Sequence, residues 1–254
     1  MKTPVLIAAR NEAEHLDALF QHMPADAEPI VIPNGCDDNT AEIAANYGAV
    51  VLEGAPEGKL PALQTGIEYL GDRAVEPFVT LDADSYPRLP ETWLPSLRHA
   101  REKMTADAPA VVTGTFVYQG PDPITAAWSS LASMRHLLKS RHDSSAAAYG
   151  RNMLIDLHDE ETVDDLLSME HIWPGEDNAI KDLIIYRGGE WRQLISPLSM
   201  VVTSGDRGLP LNERLKLGRR ASYAKIMSSY LEEAPEGSMS YEDFGDDVTK
   251  TIAH

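Results

Sequence analysis

Apolar and polar positions along the first ninety residues keep changing rhythm, between short continuous apolar runs and longer stretches of helical period. Residues 4–9, 29–33, 49–52 and 77–81 are apolar runs of strand length. Between them Leu16, Leu19, Phe20 and Met23 share one helical face, as do Ile43, Ala44 and Tyr47, and then Leu60, Leu63, Ile67 and Leu70. Asn11, with Glu14 three residues on, fits a capping box for the first helix, and Pro61 is tolerated in the first turn of the third. Apolar strands alternating with amphipathic helices predict an α/β domain with a mostly parallel central sheet flanked by helices. The second half is less regular. Its pattern predicts helices over 91–103, 124–140, 177–186 and 214–231, one strand over 110–118, and extended chain over 191–203. With no internal repeat and no clear linker, we expect a single domain over residues 1–231, divided into halves 1–90 and 91–231. A loose acidic tail, 232–254, follows.

Composition narrows the functional classes. The chain has 254 residues, 40 acidic and 22 basic, for a net charge of −18. That length suits one large domain, and a hydrophobic fraction of 43% excludes wholesale disorder. Cys36 is the only cysteine, so an intramolecular disulfide and a Cys-only zinc site are excluded. No apolar run approaches the roughly 18–20 residues of a membrane span, and the first run is too short for a signal peptide, so a cytoplasmic protein is expected. The charge argues against an extended nucleic-acid surface, which needs clustered Lys and Arg. Acids concentrate in 156–170 and 232–254, while Arg207, Arg214, Lys216, Arg219, Arg220 and Lys225 form a basic stretch. Such runs are ordinarily solvated faces.

Candidate chemistry clusters where strands end. In open α/β sheets ligands bind beyond the carboxyl ends of the strands. Asn11-Glu12, Asn34 through Asp38, and Asp82-Ala83-Asp84 each follow a strand, so their loops converge on one edge. Two carboxylates in a D-x-D triplet are hard oxygen ligands that suit Mg²⁺ or Mn²⁺. Residues 54–59, GAPEGK, are one residue short of a phosphate-binding P-loop, and Leu60 stands where that motif needs Ser or Thr. No G-x-G-x-x-G follows the first strand, which disfavours a dinucleotide enzyme. Gly175-Glu176-Asp177 opens a helix, either as an N-terminal cap or as a general base facing a substrate hydroxyl. Trp93, Trp128, Trp173 and Trp191 are candidates for sugar stacking or for the core, and His171 is the histidine nearest Glu176. Tyr149 to Asn152 is a positional candidate for an acceptor wall.

Five segments in order resemble a family 2 glycosyltransferase of the GT-A fold. They are VLIAARNE (5–12), IVIPNGCDDNTAEIA (30–44), GKLPALQTGI (58–67), FVTLDADS (78–85) and PGEDNAIKDLI (174–184), and the resemblance spans roughly residues 4–207. It implies a donor half over 1–90 and an acceptor half over 91–231. By the same resemblance Ala9, Asn11, Glu12 and Asn34 line a nucleotide pocket, and Asp38 orients the turn or contacts the nucleoside. Lys59 lies near the donor's base or ribose. Asp82 and Ala83 contact the donor, and Asp84, with Asp82, holds the Mn²⁺ or Mg²⁺ that bridges the diphosphate. Asp177 is the implied base with Glu176 beside it, Trp173 and Gly175 face the acceptor, and Arg207 faces the diphosphate. Pro33 and Cys36 depart from the family's segment, standing where it has an acid and Ser. No Q-x-x-R-W follows Asp177, so a processive polysaccharide synthase is not expected.

The implied activity is metal-dependent, inverting transfer of a sugar from a nucleoside-diphosphate sugar to an acceptor hydroxyl. Two other readings stay open. A sugar-phosphate nucleotidylyltransferase would want glycines after the first strand, where this chain has Ala8-Ala9-Arg10. A catalytically inactive nucleotide-sugar-binding protein would not need both the D-x-D and Glu176-Asp177.

Overall fold

The computed structural model describes residues 2–119, 151–170 and 175–204, together with isolated helical positions between 127 and 138. The first half follows the predicted alternation. The strands are β1 (Thr3–Ala9), β2 (Ala27–Pro33), β3 (Val50–Val51) and β4 (Phe78–Leu81), and the helices between them are α1 (Ala13–Gln21), α2 (Thr40–Asn46) and α3 (Lys59–Leu70). After a short strand β5 (Ser85–Pro87) come α4 (Pro90–Glu102), β6 (Ala110–Thr113) and β7 (Phe116–Gln119). The described chain then gives β8 (Asn152–Asp156), α5 (Glu160–Ser168), α6 (Glu176–Tyr186), β9 (Glu190–Gln193) and β10 (Val201–Ser204). The helix expected over 214–231, most of that over 124–140, and the 232–254 tail lie outside the described residues.

Seven strands form the central sheet in the order β3-β2-β1-β4-β8-β6-β9. All neighbours are parallel except β8, which runs antiparallel to both β4 and β6. Alternate strand residues point to opposite faces, so the two faces have separate cores. On one side Val5, Ile7, Val31, Val79 and Leu154 pack with Leu16 and Leu19 of α1 and Trp93, Leu94 and Leu97 of α4. On the other, Leu6, Ile30, Ile32, Phe78 and Ile155 pack with Leu60, Leu63 and Ile67 of α3, Leu166 of α5, and Ile180 and Ile184 of α6. Both faces are covered, as the near-continuous apolar runs require.

The expected strand over 110–118 is two strands in two sheets. β6 belongs to the large sheet, whereas β7 pairs with β10 in a small sheet of order β5-β10-β7. The break falls at Gly114, where a Cβ would come within 2.2 Å of the Asn152 side chain. Asn152 is fully buried. Its Nδ2 donates to Thr115 O at 3.0 Å and Ser199 O at 2.7 Å, and its Oδ1 accepts from Trp93 Nε1 at 2.9 Å. One amide thus bonds Ser199 O, and adds a second donor to Thr115 O beside Val201 N, where the chain changes sheets. It also makes Asn152 and Trp93 core residues, not parts of an acceptor wall or a sugar platform. The extended stretch expected over 191–203 is broken likewise, by a short 3₁₀ turn at Pro197–Ser199.

Asn152→Ala should leave Trp93 Nε1 and the Ser199 carbonyl without partners, while Thr115 O keeps the Val201 N–H at 3.0 Å. We expect a loss of roughly 2–4 kcal/mol, at about 1–3 kcal/mol per orphaned buried group, measured by urea denaturation. A loss below about 0.5 kcal/mol, the range of ordinary surface changes, would show that the bend does not depend on this amide.

Candidate active site

The parallel strands end on one edge, and β8, being antiparallel, begins there: Leu81 at the end of β4 pairs with Asn152. The residues just past β4 therefore face the residue just before β8. This topology brings Asp82 and Asp84 together with Arg151, which lies 69 positions along the chain from Asp82. The N-termini of α3 and α6 complete the edge with Lys59, Glu176 and Asp177.

Lys59 is the first residue of α3. Its Nζ lies 2.8 Å from Asp82 Oδ1, 3.2 Å from Asp177 Oδ1 and 3.8 Å from Glu176 Oε1. The resemblance implies a place for Lys59 near the donor's base or ribose; in the structure its ammonium sits among three carboxylates. Burial disfavours that charge, but Asp177, Asp82 and Glu176 outweigh burial and raise the Lys59 pKa. Glu176 is 7% exposed. Burial first, and then the charge of Asp177, push its carboxyl up to about 7, against the opposing effect of Lys59. Gly175, with φ at 123°, turns the chain into α6 and donates its N–H to Glu176 Oε2 at 3.0 Å.

Arg151 stands opposite. Its Nε lies 3.9 Å from Asp82 Oδ2, and its guanidinium carbon lies 5.1 Å from the Phe116 ring centroid and 5.4 Å from that of Tyr118. Its Nη1 donates to Thr203 Oγ1 at 3.3 Å, and Thr203 Oγ1 donates to Asp84 Oδ1 at 3.3 Å. Ser85 Oγ donates to the same Asp84 oxygen at 3.1 Å. Asp82 and Asp84 are both half-buried, with Ala83 between them turned into the core. Among the described residues no group of three or more His, Cys, Asp and Glu is gathered as a metal cage.

The loops after β1 and β2 are tied to each other. Asn34, 4% exposed, donates its Nδ2 to Ala9 O at 3.2 Å, and its Oδ1 accepts from Gly58 N at 3.4 Å. That one side chain joins the ends of β1 and β2 to the start of α3. Cys36 Sγ donates to Ala9 O at 3.3 Å and is a small packing residue in the same knot. The expected capping box is absent. Asn11 adopts φ 55° and accepts Asp37 N at its Oδ1, while α1 begins at Ala13 after an N-cap at Glu12 that makes no side-chain cap. Asp38 takes that role from the next loop, accepting Ala13 N at 3.1 Å and Thr40 N at 3.0 Å. Burial opposes its ionisation, but hydrogen bonds from Thr40 and Ala13 outweigh it and lower the Asp38 pKa. Glu12 is buried, its N–H bonded to Thr40 Oγ1 and its Oε2 3.7 Å from His15 Nε2.

Of the residues the sequence picks out, Asp82, Asp84, Lys59, Glu176 and Asp177 share one cluster, with Gly175 beside it. Ala9, Asn11, Glu12, Asn34 and Asp38 form the neighbouring loop knot. Trp173, Arg207, His171 and Trp128 lie outside the described residues. Trp191 donates Nε1 to Thr113 Oγ1, and Lys181 lies over its ring at 5.3 Å, so from β9 it packs against β6 and α6. Arg151 and Thr203 are the residues the sequence alone undervalues. The signal for Arg151 was a cation just before a strand, and it has meaning only once that strand is known to run antiparallel.

No protein-family model matches the chain, and no curated protein does. Solved structures match by shape. Glucosyl-3-phosphoglycerate synthase from Mycobacterium tuberculosis, in complex with Mn²⁺, UDP and glucosyl-3-phosphoglycerate, aligns with a TM-score of 0.52 at 20% identity, covering 92% of this chain and 81% of that one. Its complex with Mg²⁺ and UDP aligns at 0.52 and 18%, covering 92% and 80%. A structure described as a mycobacterial protein aligns at 0.54 and 17%, covering 89% and 75%. At these identities the likeness is one of fold: this chain has the α/β fold of GT-A glycosyltransferases.

The raised Glu176 pKa has a pH consequence. Its ordinary value is about 4.5 and its folded value about 7, so between those limits the folded state holds the proton that the unfolded state releases. The stability linked to that proton is full below about pH 4.5 and lost as pH rises through 7. Wild type should therefore lose more stability than Glu176→Gln between pH 5 and pH 8, read from urea midpoints. Parallel pH profiles for the two proteins would contradict the assignment.

Proposed function

We propose that this chain is a divalent-cation-dependent glycosyltransferase that moves a sugar from a nucleoside-diphosphate sugar to an acceptor hydroxyl, with inversion at the anomeric carbon. One observation carries the reading: the D-x-D carboxylates past β4 face the Glu176-Asp177 pair at the start of α6, with Lys59 between them. The motif order supports a relation to family 2 enzymes, and the fold neighbour's complexes with Mn²⁺ and UDP-glucose support the donor class.

The residues present fit a hydrated divalent cation. Asp82 and Asp84 supply hard oxygen donors from a turn closed by Ser85 N–H on Asp82 O, and hydroxyls from Ser85 and Thr203 orient Asp84. Two carboxylates leave most positions to water and phosphate oxygens, as Mg²⁺ sites commonly do. When bound there, the cation would offset charge developing on the leaving diphosphate.

The side chains divide the remaining work. Asp177, more exposed than Glu176 beside it, accepts the proton of the acceptor hydroxyl as that oxygen attacks the anomeric carbon. Glu176 holds a proton through much of the neutral range, which limits repulsion beside Asp177 and separates the roles of two adjacent carboxyls. Lys59 keeps its charge and fixes Asp177 relative to Asp82, and so aligns acceptor with donor. Asn34 and Asp38 hold the two loops that bound the nucleotide side.

UDP-glucose is the first donor to try, and UDP the first ligand, each with Mn²⁺, in a thermal-shift assay. Stabilisation should need both nucleotide and metal, and Asp84→Ala should remove the metal-dependent part. Asp177→Asn should keep nucleotide binding and lower turnover by about 10²–10⁴-fold. NMR of the product should show an inverted anomeric centre. A retained configuration would overturn the inverting mechanism, and near-wild-type turnover in Asp177→Asn would overturn the base.

A further inference from the structure

We propose that Arg151 is a positioning residue that holds both carboxylates of Asp82-Ala83-Asp84 in register for a divalent cation, directly at Asp82 and through the Thr203 hydroxyl at Asp84. The inference rests on the cation-dependent reading above and adds to it the device that shapes the cation site.

Three features support it. First, the guanidinium is fixed. It lies over the rings of Phe116 and Tyr118, both on β7, with centroid distances of 5.1 and 5.4 Å. Its place against two ring faces and its fork of N–H groups leave it little freedom. Second, it reaches both acids. Nε lies 3.9 Å from Asp82 Oδ2, whose other oxygen is held by Lys59 at 2.8 Å. Nη1 donates to Thr203 Oγ1, and Thr203 Oγ1 donates onward to Asp84 Oδ1, each at 3.3 Å. A threonine hydroxyl has a single proton, so accepting from Arg151 directs that proton to Asp84. Third, the relay crosses the boundary between the sheets. Thr203, on β10 and fully buried, pairs with Ser85 of β5 and Tyr118 of β7, while Asp82 follows β4 of the large sheet. The orientation of the D-x-D segment is therefore set by both sheets at once.

Positioning and charge predict opposite signs, which makes the role decidable. A guanidinium acting only as a nearby positive charge repels a divalent cation, and its loss would tighten metal binding. A guanidinium acting through geometry strengthens binding, and its loss would weaken it. Lysine keeps the charge but loses the planar fork.

The test measures Mn²⁺ binding to the full chain from the electron paramagnetic resonance signal of free Mn²⁺, with and without UDP, alongside circular dichroism and thermal midpoints. Arg151→Lys and Thr203→Val should each weaken Mn²⁺ binding by about 10–100-fold, the usual effect of losing an outer partner of a metal ligand. The double variant should bind no worse than the weaker single one, because the two residues form one relay. If Arg151→Lys fails to fold, Thr203→Val decides alone, since it leaves the stacked guanidinium in place. Unchanged or tighter Mn²⁺ binding in the folded variants would overturn the proposal and leave the cation-dependent reading standing. A wild-type protein that binds no Mn²⁺, even with UDP, would overturn both.

Discussion

The acidic edge of this sheet holds together because one ammonium is buried in it. Asp82, Glu176 and Asp177 arrive from two different elements, and their carboxyls repel one another when ionised. Two like charges 4 Å apart cost about 4 kcal/mol at an effective dielectric of 20, so the three could not gather unaided. Lys59 Nζ lies within 3.8 Å of all three. The same physics raises the Glu176 pKa, because a site with one central cation still favours a proton on its most buried acid. Removing the ammonium would leave uncompensated buried charge, which costs far more than an exposed pair contributes. The β4 side and the α6 side of the cluster are in this way one electrostatic unit.

The antiparallel strand β8 determines what faces that unit. Its start lies at the edge where the parallel strands end, so a cation from the middle of the chain meets the D-x-D. Asn152, next in sequence, turns inward and anchors the bend at Gly114 that sends β7 into the small sheet. Adjacent residues therefore serve opposite ends. Asn152 carries stability through buried hydrogen bonds, and Arg151 carries polarity into the site.

The net charge of −18 takes on a different meaning once partners are known. The acidic run from 156 to 170 is more than a solvated face. Asp156 lies buried beside Arg101 at 2.6 Å, and Asp159 caps α5 by accepting Thr162 N at 2.7 Å. Glu161 and Asp165 both pair with Arg187 after α6. Gln64 of α3 donates to three carbonyls at the other end of α5. Part of that acidity orders the layer of α3, α5 and α6, in which the first residues of α3 and α6 build the cluster.

What the sequence determined by itself was local. Apolar runs and helical faces follow from burial, and burial leaves a period in the chain, so β1 to β4 and α1 to α3 could be read, except that Tyr47, expected on the inward face of α2, lies past its end and is 44% exposed. The D-x-D and Glu176-Asp177 were legible because each is a close pair of acids at an element end, past β4 and at the start of α6. The capping box at Asn11 was not, since Asp38 of a neighbouring loop caps α1, and a cap from another loop leaves no spacing signal. The single strand over 110–118 was not, because the bend at Gly114 is set by a side chain 38 positions away. Only the tertiary structure decided that Lys59 lies among carboxylates, and that Arg151 and Thr203 address the D-x-D. Those contacts depend on strand direction and on the seam between two sheets, and periodicity records neither, because it registers which side of an element is buried and not what lies across from it.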